Sequence, residues 1–350
     1  MRALDPWCLE NLVCPVDRSA LRLEGQSLVT EAGRRYPVVD GLPVMLIDAI
    51  DQTIGVARAS LDRALGREGA TDLRAPDYHL ESLGVSEPEK QRLLELIRSG
   101  QADIDPVALM LIGATSGYAY KHLIGNTGLT AYPIPQIKLP DGGDKSLLDI
   151  GCNWGRWSIA ASQQGYRVTG LDPSLGAVLA ARRIAESLGL GIRHVVGDGR
   201  HLPFKPASFA TVYSYSVLQH FSKADAKLSL TEMGRVLDSG GVAKIQMANA
   251  FGARSIQHQA RRRFREPKDF DVRYWSVPEL RRAFTKAIGS TSVATDCYFG
   301  LGWQWSDLPY MPKRLKPVLA ASECLRRTSN WLPPLRYVAD SVFCTAVKSA

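Results

Sequence analysis

From Ser146 onward the chain alternates short apolar runs with helical stretches, and this alternation leaves few folds open to it. "SLLDIG" is an apolar run closed by a turn, and "WSIAASQQG" after it reads as a helix. "YRVTGLD", "IRHVVGD", "FATVYSYS" and "GVAKIQM" repeat the apolar run, with "SLGAVLAARRIAESLG" and "KADAKLSLTEMGRVL" as helices among them. Runs this short, apolar throughout and separated by helices predict a parallel sheet covered on both faces. "SVPELRRAFTKAI" opens on Ser276 with Glu279 three residues later, a capping box that starts a further helix. "TSVATDCYFG" and "ADSVFCTAV" add two closing strands, so seven are expected.

Three regions follow from the pattern. Residues 1–49 form a small β-rich block, in which short strands alternate with turn pairs such as Glu24-Gly25, Ala32-Gly33 and Asp40-Gly41. Residues 50–143 read as a helical linker or cap; Leu93, Leu94, Leu96 and Ile97 share one side of a helix, and the proline-rich "YPIPQIKLPDGG" leads out. Residues 144–350 hold the alternating core, with large insertions at 250–290 and 301–338.

Composition removes several classes. With 45% hydrophobic and 22% charged residues, the 350-residue chain has the make-up of a water-soluble globular protein. No apolar run approaches the ~20 residues of a membrane span. The start, "MRALDPWCLENLVCP", lacks a signal-peptide core, so a cytoplasmic location is expected. The six scattered cysteines then read as free thiols. A net charge of +8 invites nucleic acid, and much of the excess lies in "ARSIQHQARRRFREPKDFDVR". That stretch also carries Glu266, Asp269 and Asp271, and only Phe264 sits among its arginines. A solvated helix face or an anionic small substrate explains it as well.

The chemistry centres on "LLDIGCNWGRW", Leu147 to Trp157. A glycine turn from strand to helix lets backbone approach a ligand closely. A dinucleotide turn has G-x-G-x-x-G spacing; here Gly151, Asn153 and Gly155 are followed by Arg156. Asn153 is tolerable because asparagine enters left-handed backbone readily. Asp149, just before the turn, would repel a pyrophosphate but suits a ligand bearing a cationic amine. Asp172, at the end of the second strand, is placed to accept from both ribose hydroxyls. Asp198 in "VGDGRHLPF" is placed to accept from an adenine amino group, with Gly199 letting the base edge close.

In this order and spacing, "LLDIGCNWGRW", "VTGLDPS", "GDGRHLPF" and "VLQHF … EMGRVLDSGGVAKI" resemble a class I S-adenosylmethionine-dependent methyltransferase. The resemblance covers residues 146–249 well. It implies a Rossmann-like, seven-stranded, mostly parallel sheet with helices on both faces, and S-adenosyl-L-methionine as cofactor. It implies Asp149, Gly151, Cys152, Asn153 and Gly155 around the methionine tail, and Asp172 with Pro173 at the ribose. Asp198 and Gly199 would meet adenine, and Ser214 would add a backbone contact. Phe209-Ala210 departs from the family's usual Phe-Asp at the fourth strand. Ser116, Gly117 and Tyr120, in "TSGYAYKH", resemble segments that fold over the cofactor.

The block "LVCPVDRSAL … YPVVDGLPVML" resembles the zinc-ribbon-like family named for the activator subunit of tRNA and protein methyltransferases. Asp17 stands where the second cysteine ligand would be and no Cys-x-x-Cys pair follows, so no metal is expected. Each site residue also has a plainer structural role open to it. Asp149 or Asp172 could merely cap a helix, Cys152 reads as packing rather than a nucleophile, and His220 could be structural rather than a general base. Tyr213 and Tyr215 alternate along the fourth strand, so at most one would face the cleft.

The expected activity is methyl transfer to an oxygen, less readily a nitrogen, of a sugar, lipid-linked glycan or other small metabolite. Alternatives are an RNA methyltransferase and a non-catalytic scaffold that kept the fold. The N-terminal block could serve as a homodimer contact, a lid support or a carrier-docking surface.

Overall fold

The computed structural model describes residues 2–67, 75, 77–115, 120–123, 127–300 and 302–349. The chain clusters into two compact units, Met1–Ser208 and Phe209–Ala350. The strands form a seven-stranded mixed sheet of a Rossmann-like α/β fold and a separate four-stranded N-terminal sheet.

The first unit opens with α1 (Pro6–Asn11), a short helix that the sequence pattern does not announce. Asp5 caps it by accepting the Trp7 N–H at 2.9 Å, and Pro6 fits its first turn. Four short antiparallel strands follow in sequential order: β1 (Arg22–Glu24), β2 (Ser27–Val29), β3 (Arg35–Val39) and β4 (Leu42–Pro43). The turn pair Asp40-Gly41 has both residues left-handed, at φ 47° and 78°, as a two-residue hairpin requires.

The residues just after this sheet bridge to the edge of the larger one. Val44 forms a parallel bridge with Val196, and the Met45 N–H donates to the Val196 carbonyl at 2.7 Å. Leu12 bridges Phe204, and the Val13 N–H reaches the Pro203 carbonyl at 2.9 Å. Cys14 Sγ lies 3.1 Å from the Tyr36 hydroxyl, while Asp17 accepts from the Ser19 backbone and hydroxyl.

Three helices come next: α2 (Gly55–Ala64), α3 (Glu87–Ser99) and α4 (Pro106–Thr115). A capping box of Ser86 and Glu89 starts α3, and its Leu93, Leu94 and Leu96 are buried. Val107 to Ile112 of α4 are all buried, so this helix is apolar around its circumference and forms core rather than surface. Residues 132–143 run as a strap along the next helix, α5 (Arg156–Gln163). Arg156 Nε donates to the Pro133 carbonyl at 3.0 Å and Gln164 to the Leu139 carbonyl at 3.2 Å, and Tyr132 stacks on Trp154.

The parallel part is β5 (Ser146–Ile150), α5, β6 (Arg167–Asp172), α6 (Leu175–Ser187) and β7 (Arg193–Val196). Strand β5 pairs with β6 and β6 with β7, both parallel. Leu147 to Ile150 and Val168 to Asp172 are buried without alternation, the mark of strands covered on both faces. Leu42, Val44 and Leu46, Ala57 and Leu61 of α2, Leu175, Val178 and Leu179 of α6, and Val196 share one apolar cluster with Cys152. The N-terminal block, α2 and the glycine turn are therefore held by the same core.

In the second unit β8 (Phe209–Ser214) runs parallel to β9 (Leu237–Ala248), with α7 (Lys223–Val236) between them in sequence. Helices α8 (Ala253–Arg261) and α9 (Val277–Ala287) follow, the latter with the expected Ser276–Glu279 capping box. Strand β10 (Gly289–Cys297), helix α10 (Lys316–Trp331) and strand β11 (Ser341–Lys348) complete the chain. Strand β11 inserts between β9 and β10, antiparallel to both. None of the described helices is long and apolar enough to cross a membrane.

Candidate functional site

The turn after β5 has the backbone that its residues foretell. Gly151, Asn153 and Gly155 have φ of 77°, 49° and 91°, so asparagine does replace glycine in a left-handed position. The Gly151 and Cys152 N–H groups both donate to the Leu171 carbonyl, at 2.7 and 3.1 Å, which seats the turn on the end of β6. Gly170 makes that seating possible, because a Cβ there would lie 2.9 Å from Cys152 Sγ and 3.2 Å from Ser158 Oγ. The turn is thus fixed by tertiary contacts as well as by its own conformation.

Two carboxylates meet at this point. Asp149 is 1% exposed and accepts from the Ser158 hydroxyl at 2.6 Å. Burial pushes it up to about 7, against the Ser158 hydrogen bond, and the neighbouring Asp172 adds to the rise. Asp172 is buried too and accepts the Asn153 N–H at 3.0 Å and the Ser174 N–H at 2.9 Å. Burial raises it to about 6, although these backbone donors pull the other way. Neither acid has a cationic partner among the described residues. Burial without counter-charge among the described residues raises both acids toward neutrality.

Around them the other expected residues take distinct positions. Cys152 is buried and burial raises its thiol well above the ordinary value, so it stays protonated and inert. Pro173 is half-buried in the bend from β6 to α6, whose first turn is capped by Ser174. Ser60 and Ser82 hydroxyls accept the Leu175 and Gly176 N–H groups, tying α6 to the helical region before it. Asp198 is buried and receives Arg200 Nε at 2.9 Å and Nη2 at 2.7 Å on Oδ2, with the Arg200 N–H at 2.8 Å on Oδ1. Arg200 also donates to the Asp51 carbonyl, and Gly199 is buried in the intervening turn. An adenine amino group would have to share Asp198 with this arginine.

Tyr120 is buried, and its hydroxyl accepts from Arg156 Nη2 at 2.6 Å while the guanidinium lies 4.8 Å over its ring. Arg156 thereby ties the Tyr120 segment to the first turn of α5. Ser116 and Gly117 lie outside the described residues.

Two expected residues belong to the second unit. Ser214 ends β8, fully buried and in register with Ile245. His220 ends a 3-10 turn, Leu218–His220, stacked flat on Phe270 with ring centroids 3.9 Å apart. Its Nδ1 lies 2.8 Å from the Phe270 carbonyl, which only accepts, so the proton sits on Nδ1 and Nε2 carries the lone pair. Burial lowers its pKa, keeping the ring neutral near pH 7. The alternation of Tyr213 and Tyr215 ends with the strand. Ser216 turns left-handed at φ 59°, and both tyrosine rings lie against Phe343, with the Tyr215 hydroxyl donating to Asp296.

Spacing alone missed Ser158, Arg156 and Arg200. Ser158 faces Asp149 only because α5 folds back along β5. Arg200, two residues past Asp198 in a turn, was within reach of local reasoning, since a side chain at that offset readily returns to the aspartate.

Residues 147–241 match the family model of a methyltransferase domain. Over 54 residues the chain is 52% identical to a UPF0434 protein of Maricaulis maris, covering 15% of this chain and 86% of that protein. A ubiquinone biosynthesis O-methyltransferase of Azorhizobium caulinodans is 27% identical over 103 residues, 29% of this chain and 40% of its own length. The chain therefore spans less than half of that methyltransferase relative. Among solved structures, a chain from the complex between the Haloferax volcanii Trm112 methyltransferase activator and a methyltransferase is 19% identical. That match has a TM-score of 0.41 and covers 61% of this chain and 86% of the other.

Proposed function

Because the chain belongs to the class I S-adenosylmethionine-dependent methyltransferases, with a UPF0434-family segment ahead of its methyltransferase domain, we propose that it methylates an oxygen of a sugar, a lipid-linked glycan or another small metabolite. The observation that carries this reading is the Asp149–Asp172 pair, buried and without a cation among the described residues. A buried acid pair of that kind suits a ligand that brings its own positive charge, and S-adenosyl-L-methionine brings an ammonium and a sulfonium. When bound, the cofactor supplies an electrophilic methyl group on a sulfur that leaves readily.

Asp149, with Gly151, Cys152, Asn153 and Gly155, would hold the methionine end. Asp172 and Pro173 would hold the ribose, where each Asp172 oxygen keeps a lone pair beyond its backbone donor. Asp198 and Gly199 would take the adenine edge, Ser214 would add a backbone contact, and Tyr120 would close the pocket from its Arg156 anchor. With so good a leaving group, the chain's work is mainly to hold the acceptor in line and to keep water out.

A hydroxyl acceptor also needs its proton removed. His220 suits that role because its tautomer is set with Nε2 free of the proton and its ring is neutral. The name of the Azorhizobium relative, an O-methyltransferase, is in keeping with an oxygen acceptor. The reading is tested by incubating the protein with labelled cofactor and fractionated bacterial extract and weighing the labelled product. An oxygen-methylated glycan or small metabolite supports it. Label found only in RNA would replace the acceptor, and no cofactor binding by calorimetry would return the chain to a scaffold role.

A further inference from the structure

The insertion after β9 carries a surface that the methyl-transfer reading does not use. On α8, Ala253, Ile256 and Ala260 are all exposed and recur at the three- and four-residue spacing of one helical face. Ser255 on the opposite side is buried, and its N–H donates to Asp340 Oδ1 at 2.9 Å, so the helix is fastened by that side. The apolar stripe thus points to solvent, the reverse of what an amphipathic helix does in a core. Arg263 and Phe264, both left-handed at φ 54° and 55°, end the helix in a turn that leaves Phe264 70% exposed.

Charge flanks this stripe. Residues 251–272 contain six Arg and Lys against three Asp and Glu, and Arg261, Arg263, Arg265 and Lys268 are exposed. Other exposed apolar side chains lie in segments outside α8. Phe251 is exposed just before the helix, next to Asn249, whose side chain donates to the Tyr337 and Ala339 carbonyls at 2.8 and 2.7 Å. Tyr337 and Val338 are themselves exposed, and Trp331, at the end of α10, is 89% exposed.

We propose that this surface, α8 with the following turn, docks the protein on an anionic lipid bilayer. Arginines beside aliphatic and aromatic side chains match the two layers of a bilayer interface, phosphate outside and hydrocarbon within. Nucleic acid would use the arginines and Phe264 but has no use for an exposed Ile256–Ala260 stripe, since aliphatic side chains give a base no stacking face. A second copy of the chain would meet like charge across the contact. A protein seated in this way is positioned to reach an acceptor carried on a lipid. That consequence rests on the methyl-transfer reading, whereas the docking itself does not.

The test is sedimentation of the full chain with vesicles of phosphatidylcholine alone and of phosphatidylcholine with phosphatidylglycerol in equal parts. Binding is expected to the anionic vesicles and not to the neutral ones. Arg263→Gln with Arg265→Gln should weaken it about tenfold or more, each surface cation contributing about 1 kcal/mol. Ile256→Asp with Phe264→Asp should abolish it while leaving the melting temperature and S-adenosylmethionine affinity unchanged. No binding to anionic vesicles overturns the proposal, as does binding that the aspartate variant retains. RNA binding or concentration-dependent dimerisation seen without vesicle binding overturns it too. A catalytically silent protein that still binds these vesicles would sink the methyl-transfer reading alone.

Discussion

The glycine turn of the first unit and the α8 insertion of the second use charge in opposite ways. At the turn, Asp149 and Asp172 are buried with no cation beside them among the described residues, in close packing with residues such as Gly170 and Cys152. At α8, arginines stand in solvent beside apolar side chains that the fold leaves uncovered. The first arrangement costs stability unless something positive arrives, and the second leaves apolar area that a water-soluble surface ordinarily avoids. Each region is incomplete in a way that specifies the sign and polarity of what would complete it. Buried charge deficits point to small ligands, and exposed mixed surfaces point to extended ones.

The contrast is open to attack, and the largest effect belongs to the reacting step. His220→Ala should lower kcat about a hundredfold or more, with S-adenosylmethionine affinity by calorimetry unchanged. Unchanged turnover would remove His220 as the base and leave positioning alone.

Asp172→Asn should come next, weakening S-adenosylmethionine binding about a hundredfold, while the ligand-free protein loses stability on the order of 1 kcal/mol because the amide nitrogen must face one of the two backbone N–H groups that the carboxylate accepts. A variant that lost stability while keeping its cofactor affinity would make Asp172 a structural cap instead. Gly170→Ala is expected to cost about 1–3 kcal/mol in chemical denaturation, since its Cβ would press on Cys152 and Ser158. Phe264→Asp, on the open surface, should change stability by less than about 0.5 kcal/mol. Equal sensitivity at the two positions would erase the difference between a packed site and a free surface.

The legible parts of this molecule are those where one residue type satisfies a local demand. Asn153 in a left-handed turn, Ser276 with Glu279 at a helix start, and the unbroken apolar runs of β5 and β6 are all short-range facts. The order of Asp149, the turn, Asp172 and Asp198 carries the candidate site for the same reason, as each acid sits at or just past a strand end. What stayed hidden depends on chain segments far apart. Residues 132–143 look like a linker because prolines exclude helix and strand, yet their carbonyls receive Arg156 and Gln164. The junction of Val44 and Met45 with Val196 cannot be seen in either segment alone, because backbone pairing leaves no composition signal. The strand between β9 and β10 is the last in sequence, and no local pattern reveals that β11 enters there antiparallel. Helix α1 is six residues long, too short for a period to show.

The buried acid pair makes two linked pH effects. A carboxyl whose folded pKa lies above its unfolded value holds a proton that the unfolded chain has lost, so the ligand-free protein should be less stable as pH rises from about 4 to about 7. A cationic ligand prefers both acids ionised, so its affinity should change in the opposite sense.

The most direct measurement is therefore the S-adenosylmethionine dissociation constant by calorimetry from about pH 5 to pH 8, in buffers of differing ionisation enthalpy, for the wild type and Asp149→Asn. The expected result is affinity that rises with pH and levels off near neutrality, with protons released on binding, and a flatter profile in the variant. An affinity independent of pH in the wild type, or one that Asp149→Asn leaves untouched, would contradict the assignment of these acids to the cofactor.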